Sequence, residues 1–203
     1  MKPVRILLLP GWQDSGPGHW QTLWEQGHGF ERVQQADWWW PRRGDWMMRL
    51  EEALLADERP ALLVAHSLGC HLVAAWAAHS RHRARVAGAL LVAPPDLARA
   101  DTPPQVSGWA VPLSEQALPF PSTAVLSSDD PFCSAARGLQ LAAGWGSELV
   151  TLGPAGHVNA NSGLGDWPEG LALLQALARR AGVGPVPGAS AGSAAASHAA
   201  GSV

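Results

Sequence analysis

Apolar residues along the chain fall into short continuous runs that are separated by stretches of helical spacing. Six of the runs predict strands, at residues 4–9, 30–34, 61–65, 86–92, 123–127 and 148–152. Most of them lack the apolar and polar alternation of a half-exposed strand, which is expected when both faces of a sheet are covered. Strands that alternate with helices favour a parallel sheet with crossover helices. The pattern therefore predicts an α/β fold of about six mostly parallel strands in three layers.

Four helices are predicted between and after these strands. One begins at Asp45, whose carboxylate can accept hydrogen bonds from the free N–H groups of the first turn. A second follows Ser67 directly, and a third covers residues 132–143. The last covers residues 167–180, where leucines recur at three-residue spacing and two arginines lie at the end.

Two segments depart from this alternation. Residues 94–121 are rich in proline and predict a loop with at most short helices, inserted over the carboxyl edge of the sheet. Residues 182–203 are almost entirely Gly, Ala, Ser, Pro and Val, with too few large apolar side chains to offset the entropy lost on ordering. We expect one folded α/β domain over residues 1–181 and a disordered tail over residues 182–203.

Composition narrows the classes of partner and compartment. A chain of 203 residues buries enough surface to fold without a disulfide or a metal, and a net charge of -3 with no long basic run disfavours nucleic acid. Two cysteines, Cys70 and Cys133, predict buried free thiols in a reducing compartment. No apolar run approaches the ~20 residues of a membrane span, so we expect a cytoplasmic protein with no membrane partner.

The residues around Ser67 predict a strand, a sharp turn and a helix around a serine. They read Ala-His-Ser-Leu-Gly, and the small residues Ala65 and Gly69 allow the strand and the helix to approach. Such a turn exposes the serine Oγ at the carboxyl edge of the sheet and directs the N–H of Leu68 at a developing oxyanion. The literal G-x-S-x-G lies at residues 188–192, in the low-complexity tail, and is rejected because no strand precedes it.

A serine hydroxyl becomes a nucleophile when a histidine accepts its proton and a carboxylate orients that histidine. Asp129 and Asp130 follow the strand predicted at residues 123–127, and His157 follows the one at residues 148–152. All three groups therefore lie at carboxyl ends of parallel strands, in the order Ser, Asp, His that is typical of α/β-hydrolases.

The loop after the first strand supplies a further element. Its sequence, Pro-Gly-Trp-Gln-Asp-Ser-Gly-Pro-Gly at residues 10–18, lacks the Lys-Ser/Thr pair of a phosphate-binding loop. A backbone N–H of Trp12 or Gln13 is instead expected to be the second oxyanion donor.

With these motifs the chain resembles the small α/β-hydrolases that are similar to retinoblastoma-binding protein 9 and to the bacterial YdeN-type serine hydrolases. The resemblance spans residues 4–180 and lies in these segments: Leu-Pro-Gly-Trp-Gln at 9–13, Ser-Gly-Pro-Gly-His-Trp at 15–20, Trp24, Asp37-Trp38, Pro41, His-Ser-Leu-Gly at 66–69, Asp-Asp-Pro-Phe at 129–132, Gly-His at 156–157, and residues 161–168, which look like the bacterial branch.

The resemblance implies a fold with a minimal lid. It also implies a triad of the nucleophile Ser67, the acid Asp130 and the base His157, with no cofactor and no metal. Asp130 is preferred to Asp129 because it precedes a proline. The L-x-C-x-E motif associated with retinoblastoma binding is absent, since Leu72 stands where the glutamate is required, so no partner of that type is implied.

Four further residues lie near these motifs. His66 is adjacent to the nucleophile and points away from it, which predicts a packed and hydrogen-bonded side chain. His19 is expected either to line the mouth of the site, with Asp14, or to brace its loop. Trp38 either forms the floor of an acyl pocket or packs loops against the sheet, and Phe132 is a candidate pocket residue.

These inferences predict a serine hydrolase of the carboxylesterase type. It would cleave a small-molecule ester, or a thioester or amide, through an acyl-enzyme. The alternative from another class is a catalytically weak protein of the same fold that acts as a binding or scaffolding module.

Overall fold

The structure is a computed structural model that describes residues 3–110 and 116–187. Its strands are β1 (Arg5–Leu9), β2 (Glu31–Arg32), β3 (Ala61–His66), β4 (Val86–Val92), β5 (Ser122–Ser127) and β6 (Glu148–Leu152). Its α-helices are α1 (Trp20–His28), α2 (Arg43–Leu55), α3 (Leu68–His79), α4 (Ala135–Trp145) and α5 (Pro168–Arg180). Short 3₁₀ helices lie at Arg83–Arg85, Ser107–Trp109 and Ala160–Ser162.

The described strands form one sheet in the order β2-β1-β3-β4-β5-β6, and every neighbouring pair is parallel. The chain winds outward from β1 in one direction to reach β2 and in the other to reach β3 and the later strands. Open α/β sheets bind ligands at such a switch point, outside the carboxyl ends of the strands. The carboxyl ends of β1 and β3 therefore mark the expected place of the site.

The core consists of two layers, one on each face of the sheet. Leu7 and Leu63 point to one face, where they pack with apolar side chains of α2, α3 and α4. Leu8 and Val64 point to the other face, where they pack with α1 and α5. Both faces are thus covered, which explains the continuous apolar runs of the strands and confirms the predicted three-layer α/β fold.

Helix α1 was not among the predicted helices. Its N-terminal capping residue is His19, whose Nδ1 accepts a hydrogen bond from the N–H of Gln21 at 3.1 Å. Histidine lies outside the Ser, Thr, Asp and Asn set that usually marks a helix start, so the usual start signal was absent. The helix nevertheless buries Trp20 and Trp24 against the sheet.

Two predicted helix starts are also corrected. Helix α2 begins at Arg43, two residues before Asp45, and Asp45 lies in its first turn rather than capping it. Helix α4 begins at Ala135 rather than at residue 132, because the side chain of Ser134 accepts the N–H of Arg137 and forms the cap. The strand predicted at residues 30–34 is reduced to β2.

The C-terminal segment can be described only in part. Residues 182–187 run beside α5, where Val186 is buried and its N–H and C=O both bond to the side chain of Gln175. The rest of the predicted tail, including the literal G-x-S-x-G, lies outside the described residues. Both Cys70 and Cys133 are buried free thiols, as predicted. No helix of the described ranges is long and apolar enough to cross a membrane.

Candidate active site

Ser67 occupies a strained turn between β3 and α3. Its backbone has φ 53° and ψ -122°, a region that a residue with a side chain seldom adopts. The turn is held because the N–H of Ser67 donates to the carbonyl of Val92 at 2.9 Å. A Cβ on Gly69 would lie 2.9 Å from the carbonyl oxygen of Pro10 and nearer still to that of Leu9, so the close approach requires glycine there.

The three predicted triad residues lie in one hydrogen-bonded chain. Ser67 Oγ is 2.8 Å from Nε2 of His157, and Nδ1 of His157 is 2.9 and 3.0 Å from the two carboxylate oxygens of Asp130. A carboxylate can only accept, so the tautomer that satisfies all three groups carries its proton on Nδ1. Nε2 then presents a lone pair to the Ser67 hydroxyl, which is the arrangement that general-base catalysis requires.

Asp129, the other candidate acid, has different partners. Its carboxylate accepts hydrogen bonds from the Ser127 hydroxyl and from the N–H of Gly156, both at 2.8 Å. These bonds lower the pKa of the Asp129 carboxyl below its usual value. Asp129 therefore fastens the loop before His157 to the end of β5, whereas Asp130 contacts the imidazole itself.

The candidate oxyanion donors are reduced from three to two. The N–H of Gln13 already donates to the carbonyl of Trp38 at 3.0 Å, so the expectation that Gln13 serves as a donor is corrected. The N–H of Trp12 has no acceptor among the described residues. The N–H of Leu68 is the first of α3 and has no partner within its own helix.

A cavity of about 490 Å³ opens above Ser67. This volume falls in the range of small-molecule pockets. Apolar residues of the loop after β4, among them Leu97, Pro103 and Val106, line part of its wall, so the predicted insertion over the carboxyl edge is observed in its described part. The lining also includes residues of the loop after β1 and of the strand ends that carry the triad: Gly11, Trp12, Asp14, His19, Ser67, Leu68, Phe132, His157 and Asn159.

His19 and Asp14 both line the cavity and brace their loop, so the two expectations for them hold together. The Asp14 carboxylate pairs with the Arg32 guanidinium at 2.6 Å, and the His19 ring caps α1. Burial lowers the pKa of His19 to about 3, with smaller contributions from Arg32 and His157. His19 is therefore neutral at physiological pH.

Phe132 and His66 lie where the sequence led us to expect them, whereas Trp38 does not. Phe132 lines the cavity and lies edge-on to the imidazole of His157, with ring centroids 4.6 Å apart. Trp38 is not a lining residue: its ring packs edge-on against Trp46 at 5.4 Å, so its expected place in the pocket floor is corrected. His66 is buried and its Nε2 lies 2.9 Å from the carbonyl oxygen of His157, as its predicted packed role requires.

Comparison with known proteins identifies a family and several solved structures of the same fold. A family model described as serine hydrolase matches residues 6–176, which contain all three triad candidates. A solved structure from Pectobacterium atrosepticum, described as a YdeN-like hydrolase, superposes with a TM-score of 0.77 at 28% identity, covering 88% of this chain and 92% of that one. A search of curated proteins returns no match.

Two further solved structures share the fold at lower identity. The ydeN gene product of B. subtilis has a TM-score of 0.66 at 18% identity, with 86% of this chain and 98% of that chain covered. The esterase domain of a Rhodothermus marinus protein has a TM-score of 0.62 at 18% identity, covering 89% and 88% of the two chains. The fold is therefore shared with these solved structures.

Proposed function

Because the chain belongs to the serine hydrolase family, we propose that it hydrolyses small carboxylic esters through an acyl-enzyme formed on Ser67. The observation that carries this proposal is the hydrogen-bonded chain from Asp130 through His157 to Ser67, which ends at the base of the cavity. A hydroxyl bonded to an imidazole that is itself oriented by a carboxylate is equipped for nucleophilic attack.

In the acylation half-reaction, the Ser67 Oγ attacks the ester carbonyl carbon while its proton passes to Nε2 of His157. The carbonyl oxygen becomes an oxyanion, which the N–H groups of Trp12 and Leu68 can stabilise. The tetrahedral intermediate collapses, the bond from carbon to the alkoxy oxygen breaks, and the departing alcohol takes the proton from Nε2. The acyl group is then bound to Ser67.

Deacylation repeats these steps with water. His157 accepts a proton from water, the resulting hydroxyl attacks the acyl carbon, and Ser67 leaves with the proton that His157 returns. Asp130 stabilises the imidazolium that forms in both half-reactions. Thioesters and amides would pass through the same kinds of intermediate on the same residues.

The carbonyl carbon of the substrate must lie beside Ser67, and the leaving group must lie near His157, which protonates it. The ring of Phe132 lies edge-on to the imidazole and lines the cavity. We assign this side of the cavity to the alcohol. The loop after β4 then remains for the acyl group, and it lines the cavity with Leu97, Pro103 and Val106 as well as with the charged Asp96, Arg99 and Asp101.

Fluorophosphonate labelling together with p-nitrophenyl acetate hydrolysis tests the proposal. The wild-type protein should be labelled and should hydrolyse the ester, whereas Ser67→Ala should do neither. Ser147→Ala is the matched control, because Ser147 bonds to Ser122 at the start of β5 and lies outside the cavity lining. A folded wild-type protein with no label and no turnover would favour the binding-module alternative. Equal labelling of wild type and Ser67→Ala would disprove the nucleophile.

A further inference from the structure

The backbone that carries the catalytic base is held by two buried side chains from distant parts of the chain. The carbonyl oxygen of His157 lies 2.9 Å from Nε2 of His66, and the carbonyl oxygen of Val158 accepts the indole N–H of Trp20 at 2.8 Å. The relative exposures of His66 and Trp20 are 5% and 1%. Two successive peptide carbonyls are thus bound by side chains of β3 and α1.

The conformation that these bonds hold is an unfavourable one. Val158 has φ 48°, in the left-handed region that is rare for residues with a Cβ and rarest for β-branched ones. Such backbone persists when the surrounding contacts determine it, and it is common at active sites. The side chain of Val158 is fully buried, so the bonds to the two carbonyls act on a residue that is also fixed by packing.

His66 connects the segment that carries Ser67 to the segment that carries His157. It precedes Ser67, and its ring bonds to the backbone of His157, so one side chain connects the strand of the nucleophile to the loop of the base. A carbonyl oxygen only accepts, so Nε2 of His66 carries the proton. Burial also lowers the pKa of His66 well below its usual value, which keeps this ring neutral.

We propose that His66 and Trp20 are positioning residues that hold the His157–Val158 backbone in its strained conformation and thereby aim the imidazole at Ser67. The inference rests on the function proposed above. Neither His66 nor Trp20 takes part in the bond-making and bond-breaking steps described above. A misplacement of about 1 Å at a reacting group can cost on the order of a hundredfold in rate.

The test removes each donor while keeping the bulk of the side chain. Trp20→Phe should lower kcat for p-nitrophenyl acetate about tenfold, and His66→Leu by ten- to a hundredfold, with KM within twofold. His66→Gln should recover most of the loss, because its amide N–H can reach the same carbonyl.

Each variant has a matched control. Trp24 belongs to the same aromatic cluster as Trp20 and donates its indole N–H at 2.6 Å to the carbonyl of Asp166, away from the base. For His66 the control is His79, whose Nδ1 lies 2.8 Å from the carbonyl of Ala75 within α3. Trp24→Phe and His79→Leu should leave kcat within twofold of wild type.

A second readout does not depend on turnover. The Nδ1 proton of His157, bonded to Asp130, should give a low-field proton NMR signal in the wild type and in Trp24→Phe, and it should be lost or broadened in Trp20→Phe and His66→Leu. An unchanged signal and unchanged kcat in both donor variants would overturn the positioning role. Activity that survives in Ser67→Ala would instead overturn the proposed function, and the NMR comparison would still decide the positioning role.

Discussion

Gly11 lies against Ser67 so closely that a Cβ at position 11 would stand 2.7 Å from the Cβ of Ser67 and 3.2 Å from its Oγ. The loop after β1 therefore approaches the nucleophile to a distance that only glycine permits. The next residue, Trp12, is the one whose N–H we propose as an oxyanion donor, and this contact brings its loop to the reacting hydroxyl.

Gly11→Ala should slow fluorophosphonate labelling at least about tenfold, because the new methyl must displace either the turn at Ser67 or the loop that carries Trp12. Gly18→Ala, in the same loop, is the control: its Cβ would make only an ordinary contact of 3.8 Å with Ala160. Labelling rates of the two variants, measured on folded protein, check this expectation. Equal rates for Gly11→Ala and wild type would contradict it.

Substitution of the two adjacent aspartates should have very different effects on kcat. Asp130→Asn should lower kcat by ~10⁴, because an amide cannot hold the imidazole tautomer that accepts the Ser67 proton. Asp129→Asn keeps an oxygen that can accept from Ser127 and Gly156, so we expect a loss of no more than about tenfold. Steady-state ester hydrolysis by both variants measures the difference, and a reversed order would show that Asp129 is the catalytic acid.

Two helical glycines should respond differently to alanine. At Gly69 a Cβ would meet backbone carbonyls that cannot move independently of β1, so Gly69→Ala should destabilise the protein by more than about 2 kcal/mol. At Gly138 it would lie 2.9 Å from the terminal Cδ1 of Leu126, a flexible group. The gain in helix propensity, about 1 kcal/mol, should bring Gly138→Ala close to wild type. Urea denaturation of both variants gives the comparison.

The neutral state of His19 predicts a pH dependence of stability. Its pKa is lowered from 6.5 to about 3 in the folded protein, so between these values the unfolded chain binds a proton that the folded chain does not. The free energy of unfolding therefore falls as the pH falls through this window, by up to about 1.4 kcal/mol per pH unit per proton. His19→Asn retains a capping side chain. It should reduce the slope of unfolding free energy against pH by the contribution of one proton, about 1.4 kcal/mol per pH unit.

Denaturation midpoints at several pH values between about 3.5 and 6.5 measure the slope for wild type and His19→Asn. His66, whose pKa is also lowered, contributes in the same direction and remains in the variant. Parallel curves for the two proteins would show that His19 is not the titrating group.

The nucleophile elbow was predictable because it is a local pattern. Apolar β3, the small residues Ala65 and Gly69, and the helix after Ser67 lie within a short stretch of sequence, and each has a steric reason. That a serine, an aspartate and a histidine meet was predictable from the parallel sheet, which brings all carboxyl strand ends to one edge.

Contacts between loops were not predictable in this way. Whether Gln13 or Trp12 offers a free N–H depends on the carbonyl of Trp38, about 25 residues away, and no pattern in the sequence relates the two. The ring of Trp38 is absent from the cavity lining because it packs against Trp46, another contact that the sequence does not indicate. Helix α1 was missed for a local reason, since His19 is an uncommon cap.

The bond between Trp20 and Val158 joins residues that are 138 positions apart. The catalytic geometry therefore cannot exist until the first and last thirds of the described chain have met, and contacts of such long sequence separation form slowly because loop-closure entropy opposes them. During refolding, helical circular dichroism should return before the fluorophosphonate-reactive hydroxyl does. Reactivity would then report the completion of tertiary structure.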